Sequence, residues 1–360
     1  MTYAGPVVTG ALVPAPPGPA SPRARGTAAV PDVDEALTAR VLDGLDGVEA
    51  QLREAVRHTD ALADAASRHL VEAGGKRVRP MLALLAAHLG DPDEPGVLTA
   101  AVAVELVHLA SLYHDDVMDD APMRRGAPSA QAKWGNDVAI LTGDLLFARA
   151  SRLVAELGPL AVRLQAETFE RLCLGQMHET VGPRPDEDPV AHHLQVLSDK
   201  TGSLIALAGQ FGAQFSGAPA DVVEVMRLYG ERVGVAFQLA DDVLDLSRSG
   251  EDAVARTGKA AGTDLREGVP TLPVLLARRA SAGGDADAAA LVELLDADLS
   301  GDEALAAAVD ALAASPHAAA ARESAREWAA SAVEVLDGLP AGHVRDALAA
   351  FARSTTERDR

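Results

Sequence analysis

From Val33 to about Phe351 apolar residues recur three and four positions apart, the period of an α-helix. The pattern predicts long helices over roughly 97–119, 137–156, 158–181, 191–217 and 220–246. Breaks fall where helix breakers cluster. One is Asp91-Pro92-Asp93-Glu94-Pro95-Gly96, and another runs from Gly182 to Pro189 through Pro183 and Pro185. The stretch 247–268, with Gly250, Gly258, Gly262 and Gly268, reads as a longer loop, and Gly283-Gly284 and Ser315-Pro316 separate the last helices. No fixed repeat period is present, so a solenoid is not expected. Many long helices joined by short loops predict one all-α bundle over 32–360. Residues 1–31 differ in kind: Pro14, Pro16, Pro17, Pro19, Pro22 and Pro31 exclude a stable helix, and the segment reads as a disordered arm.

Composition sharpens this picture. Aromatic residues make up only 3% of the 360-residue chain, so Ala, Leu and Val must build the core, a choice that favours helix over sheet. The single cysteine, Cys173, excludes an internal disulfide and points to a reducing, cytoplasmic setting; its apolar helical context reads as core. No uninterrupted apolar run reaches the ~18 residues of a membrane span, and the first residues lack the pattern of a secretory signal. The net charge of −21 disfavours nucleic acid and anionic lipid as partners. Against that field basic clusters are informative. Only four of the 32 basic residues are lysines, at 76, 133, 200 and 259, and three of these fall in the motifs below.

The strongest chemical signal is Asp115-Asp116-Val117-Met118-Asp119, which closes an apolar helix. Helical geometry stacks Asp115 and Asp119, with Asp116 beside them. Three carboxylates on one patch repel one another, so something must offset the cost. Mg²⁺, a hard cation that takes oxygen ligands, suits such a patch. The pattern returns as Asp241-Asp242-Val243-Leu244-Asp245, again closing an apolar helix. One cluster alone reads equally well as a solvated helix end; two with identical spacing predict facing acidic patches that clamp several Mg²⁺ ions around a polyphosphate. Cations to match are available. Gly74-Gly75-Lys76-Arg77-Val78-Arg79-Pro80 sets three of them in a glycine-started turn, Arg124-Arg125-Gly126 follows the first cluster, Lys200-Thr201-Gly202 interrupts a helical run, and Lys259 lies in the glycine-rich loop. His108 lies two turns before Asp115, where an isolated histidine would more often be core.

In these motifs the sequence resembles the trans-isoprenyl (polyprenyl) diphosphate synthase family. The resemblance rests on Gly-Gly-Lys-Arg-x-Arg-Pro at 74–80, Glu105-x-x-His108-x-x-Ser111-Leu112-x-His114-Asp-Asp at 105–116, Arg-Arg-Gly at 124–126, Gly143-Asp144, Lys200-Thr201, Phe237-Gln238-x-x-Asp-Asp-x-x-Asp at 237–245, and the run from Gly262 through Asp264 and Gly268 to Pro273. It implies a helical bundle of the isoprenoid synthase type with a central cavity, and a homodimer. It implies Mg²⁺, three ions per site, held by Asp115, Asp116, Asp119, Asp241 and Asp242, with Asp245 nearby. Arg124, Lys200 and Lys259 would contact the allylic diphosphate. Lys76, Arg79, His108 and Arg125 would hold isopentenyl diphosphate, and Thr201 and Gln238 would line the reacting centre. Residues four and five before the first aspartate, Ser111 and Ala110, would set the tunnel floor. Both are small, so a medium or long all-trans product is expected, with geranylgeranyl diphosphate as the alternative. Another helix could supply the floor instead, through Phe147 or Met177. A class I terpene cyclase, which usually lacks the second aspartate cluster, and a non-catalytic synthase subunit, which tends to lose both, are the competing readings. The Gly175-Gln176-Met177-His178-Glu179 segment is more polar than the family pattern leads one to expect.

Overall fold

The computed structural model describes residues 33–247 and 262–357. The proline-rich arm expected over 1–31, and Lys259 with most of its loop, lie outside these residues. The fold is all-α. Helix α1 (Glu35–Ala55) starts at Asp34, whose carboxylate accepts from Leu37 N at 2.8 Å, and buries Val41, Leu45, Val48 and Leu52 along one stripe. α2 (Ala61–Glu72) leads through the glycine turn to α3 (Val78–Ala87), almost every residue of which is buried.

Helix α4 (Pro95–Met118) is the axis of the bundle. It is buried on all sides, from Val97 to Asp116, as an apolar helix must be when no face of it meets water. By length and composition it could cross a membrane, the one such single helix among the described residues, but 72% of its most apolar window is inside the protein. It packs against α3, against α6 (Asn136–Glu156) and against α9 (Ser203–Phe215). The short α5 (Ala130–Trp134) precedes α6, and α7 (Pro159–Val181) follows it on the outside of the bundle.

The helix expected over 191–217 is interrupted. α8 (Pro189–Leu197) passes into a π-helical turn, Ser198–Gly202, before α9 resumes. A single π turn of this kind typically marks a functional position, and here it holds Lys200 and Thr201. Close backbone packing fixes its place. A Cβ on Gly234 of α10 (Ala220–Ser247) would come within 2.5 Å of Gly202 Cα, and one on Gly175 of α7 within 2.7 Å of Lys200 N.

Six further α-helices complete the described chain. They are α11 (Thr263–Arg266), α12 (Leu272–Ala282), α13 (Ala286–Leu295), α14 (Asp302–Ala313) and α15 (Pro316–Val335), with α16 (His343–Thr356) closing it. The principal core runs from Val41 to Ala352, so both ends of the described chain contribute to it. Tyr229 of α10 donates to Leu348 O at 2.6 Å and ties the last helix to the bundle. Smaller clusters around Leu305 and around Leu239 seat α14 and α15.

No strand was expected, and among the described residues there is one hairpin, Met123–Arg124 paired with Ala127–Pro128. Its two-residue loop, Arg125 (φ 54°) and Gly126 (φ 74°), has the doubly positive φ of a type I′ turn. Two residues per strand are too few to leave a periodic signal. The hairpin aims Arg124 back at the end of α4 and Arg125 at the end of α2 and the glycine turn.

Candidate active site

The last turn of α4 carries the first cluster. Asp115 is half-buried, and burial pushes its carboxyl up to about 6; Lys200 and Arg124 pull it down, while Asp119 and Glu179 push it further up. Asp119 caps the helix, its N–H donating to Asp115 O at 2.8 Å, and is exposed. Asp116 points elsewhere than the sequence pattern suggests. It is fully buried, and its Oδ1 accepts from Arg124 Nε at 2.6 Å. The open patch is therefore formed by Asp115 and Asp119, with Asp116 anchoring the hairpin.

The second cluster closes the described part of α10. Asp241 is half-buried, whereas Asp242 and Asp245 are buried. Asp242 Oδ1 accepts from Gln238 Nε2 at 3.1 Å, and its Oδ2 lies 3.4 Å from His193 Nε2. Asp245 is turned towards α11, accepting from the Gly262 and Asp264 N–H groups through its carbonyl and carboxylate.

Between the clusters stands the π turn. Lys200 Nζ donates to Glu179 Oε2 at 2.5 Å. Burial alone would lower its pKa, but Glu179, Asp115 and Asp119 outweigh burial and raise it. Thr201 Oγ1 donates to Gln238 Oε1 at 3.3 Å, and Gln238 passes the chain on to Asp242. One residue pair, Lys200-Thr201, thus meets the field of the first cluster and the hydrogen-bond chain of the second. The π turn is the element that links the two acidic clusters.

The basic residues form the opposite wall. Arg77 is buried in a left-handed conformation (φ 51°) between Glu49 (2.5 Å) and Glu105 (2.9 Å), which pins the glycine turn to α1 and α4. Gly75 is required there, because a Cβ would fall 2.8 Å from the Arg125 guanidinium. Arg125 donates to the Leu70 and Gly74 carbonyls. Arg79 Nε is buried without a hydrogen-bond partner, and burial pushes its pKa down to about 10. His108 is held well below its usual range by burial and by Arg79, Arg125, Arg77 and Arg124, so it is neutral at pH 7. A buried cluster with this many guanidinium groups and an unsatisfied donor suits an anion.

The acidic side fits a hard cation equally well. Asp116 Oδ2 and Asp242 Oδ2 are buried without hydrogen-bond partners, and Asp115 is a carboxylate whose ionisation burial opposes. Oxygen donors left uncompensated in this way are stabilised by a divalent cation. Asp115, Asp119, Asp241 and Asp242 are the residues that could hold one, although among the described residues no three of them are already gathered around a single point.

Below Asp115 an apolar cavity of about 480 Å³ opens between α4, α6 and α7. Ser111 lines it. Ala110 does not: it is fully buried towards α6, where a Cβ on Gly143 would lie 3.1 Å from its carbonyl. Cys173, expected in the core, is exposed and lines this cavity. α7, the helix expected over 158–181, buries only Ala161, Gln165 and Gly175.

The polyprenyl synthetase family model matches residues 60–312. The chain belongs to the polyprenyl synthetase family. Nonaprenyl diphosphate synthase of Mycobacterium tuberculosis is 45% identical over 326 residues, which are 90% of this chain and 95% of the relative. The crystal structure of geranylgeranyl pyrophosphate synthase from Corynebacterium glutamicum, complexed with calcium and isoprenyl diphosphate, superposes with a TM-score of 0.78 at 43% identity, covering 90% of this chain and 98% of that one. Polyprenyl synthase from Caulobacter crescentus CB15, also complexed with calcium and isoprenyl diphosphate, gives 0.81 at 31% identity, covering 94% and 100%. The bundle is the isoprenoid synthase fold, and the chain is a prenyltransferase.

Sequence reasoning missed what holds the π turn. Arg171 of α7 donates to Asp199 at 2.8 Å, to Ser198 at 3.1 Å and to Glu231 of α10 at 2.6 Å. Ser198 and Asp199 flank Lys200 on its N-terminal side, so one guanidinium fixes the turn against two helices. Arg171 sits in no recognised motif, and only the π turn reveals its partners. Arg171→Met is expected to lower kcat/KM for the allylic diphosphate about ten- to hundredfold, the equivalent of about 1.5–3 kcal/mol for lost bonds to charged groups. Steady-state kinetics with varied allylic diphosphate, beside a circular dichroism spectrum, checks this; an unchanged kcat/KM would show that the turn holds without it.

Proposed function

We propose that this prenyltransferase condenses isopentenyl diphosphate with an allylic diphosphate to build a linear all-trans polyprenyl diphosphate of medium or long chain, with Mg²⁺ at the aspartate clusters. The observation that carries the reading is the Lys200–Thr201 turn lying between the clusters, with a separate guanidinium pocket around Arg79 and an apolar cavity below. That gives a place for each diphosphate and one for the hydrocarbon. The nonaprenyl synthase at 45% identity supports a long product, and the geranylgeranyl synthase at 43% keeps the shorter alternative.

The charges explain the chemistry. Lys200 and Arg124 would bind the allylic diphosphate at the mouth of the cavity, and Lys200 can do so by exchanging Glu179 for phosphate oxygens. Lys259, outside the described residues, would join them. Mg²⁺ bound by Asp115, Asp119, Asp241 and Asp242, three ions in the full site, would supply Lewis-acid neutralisation of the leaving group. Asp116 and Asp245 would support these ligands through Arg124 and α11. The allylic C–O bond breaks and its electron pair leaves with the diphosphate. The isopentenyl double bond attacks the allylic cation, and the proton then lost passes to the released diphosphate. Lys76, Arg79, Arg125 and neutral His108 would hold isopentenyl diphosphate, and Thr201 and Gln238 would orient the reacting carbons. The apolar lining of the cavity offers few polar groups to hold water that would quench the cation.

A homodimer fits the surface of α6 and α7. Ile140 (41% exposed), Leu141 (65%) and Val181 (83%) are large apolar side chains presented on these helices. A second copy would cover them. A reducing, cytoplasmic setting suits the one thiol.

Incubating the protein with isopentenyl diphosphate, farnesyl diphosphate and Mg²⁺ is expected to give elongated products. Asp115→Asn or Asp241→Asn should lower turnover about 10²–10³-fold, the usual cost of removing transition-state charge stabilisation. Full activity in excess chelator would refute the metal assignment, and absence of any elongation would refute the reading as a whole. Leu141→Glu is expected to shift the protein from dimer to monomer in light scattering; an unaltered mass would place the interface elsewhere.

A further inference from the structure

The cavity is lined mostly by α6 and α7, and two rings from these helices meet in its lining. α7 follows the cavity from Val181 and Thr180 through Met177 and Cys173 to Phe169. α6 faces it from Ile140 to Phe147. At the far end the Phe147 and Phe169 rings meet, with centroids 4.4 Å apart and planes tilted by 53°. His114 packs on the other side of Phe147 at 5.7 Å, so that ring is wedged between α4 and α7. Tilted pairs at this separation are attractive beyond their buried area. The mouth lies at the level of Glu179, which pairs with Lys200.

The length of this space follows from the helix. Glu179 and Phe169 are ten residues apart on α7, about 15 Å at 1.5 Å per residue. An extended chain advances roughly 3.5 Å for every three bonds, so an isoprene unit of four bonds spans about 4.6 Å. The space above the rings therefore holds about three units. A longer hydrocarbon must pass them. Beyond them α7 presents Leu160 (40% exposed) and Val162 (44%), apolar side chains over which a longer chain could lie.

We propose that the Phe147–Phe169 pair is the barrier that sets product length in this chain, in place of the α4 positions Ala110 and Ser111. The inference rests on the prenyl-elongating reading above and deepens it. The growing chain meets the rings after about three units. Further rounds require them to part, and growth stops when release of the product becomes faster than that opening. Phe169 is 36% exposed, whereas Phe147 also packs against His114, so Phe169 is the less constrained of the two rings.

The test is the product-length distribution with farnesyl diphosphate as primer, resolved by reversed-phase chromatography after dephosphorylation. Phe169→Ala and Phe147→Ala should each move the main product at least one isoprene unit longer. Ser111→Phe, which fills the cavity above the rings, should shorten it. Unchanged lengths in both alanine variants, with Ser111→Phe alone effective, would place the floor on α4 and overturn the proposal. Melting temperatures and Phe169→Leu, which keeps most of the side-chain volume and should give a smaller shift of the same sign, guard against misfolding. Failure of the wild-type protein to elongate the primer at all would instead overturn the function on which the proposal rests.

Discussion

Carboxylates of like charge, pressed together at the apolar end of a helix bundle, are the constraint around which the molecule is organised. Asp115 is half-buried with Asp119 and Glu179 nearby, and Asp242 is buried with one oxygen unpartnered. In a bundle with no counter-charge this arrangement would be costly. The structure offsets part of the cost internally. Arg124 holds Asp116, Gln238 holds Asp242, and Lys200 sits in the field of the first cluster. The remainder is left for ligands: one oxygen each of Asp116 and Asp242 is buried without a hydrogen-bond partner.

Positioning rather than unusual residues achieves this. A type I′ hairpin returns Arg124 to the helix that carries the first cluster and Arg125 to the glycine turn, and a buried arginine in a left-handed conformation locks that turn, which presents Arg79. A π turn breaks one helix where Lys200 must project, and Arg171 holds that turn from behind. Each device costs local conformational energy, and each is tied down by buried ion pairs or by close backbone contact. Hydrocarbon specificity is a separate matter, settled on the opposite side of Asp115 by side chains of α6 and α7.

Much of this was legible in the sequence. The helical period, the breakers and the paired aspartate motifs located the bundle, the long helices and both clusters, because each depends on spacing along one helix. The interruption at Lys200-Thr201 could be read from residue type alone. What could not be read depends on residues far apart in sequence or on few residues. The direction of Asp116 is set by Arg124 across a hairpin too short to leave a pattern. The Arg171–Glu231 contact spans 60 positions. Ala110 and Ser111 are neighbours on α4, yet Ser111 lines the cavity and Ala110 is fully buried away from it, a difference set by tertiary packing. Cys173 looked like core because its neighbours are apolar, but α7 carries apolar residues on its outer face as well.

The account depends most on the two aspartate clusters acting on one ligand. Calorimetric titration of inorganic pyrophosphate in the presence of Mg²⁺ measures this without turnover, using the wild type, Asp115→Asn, Asp241→Asn and the double variant. If both clusters grip the same metal–diphosphate complex, each single change weakens binding more than about tenfold and the double variant loses much less than the product of the two, a coupling that neighbouring sites show and distant ones do not. Independent effects that multiply, or binding untouched by Asp241→Asn, would contradict it.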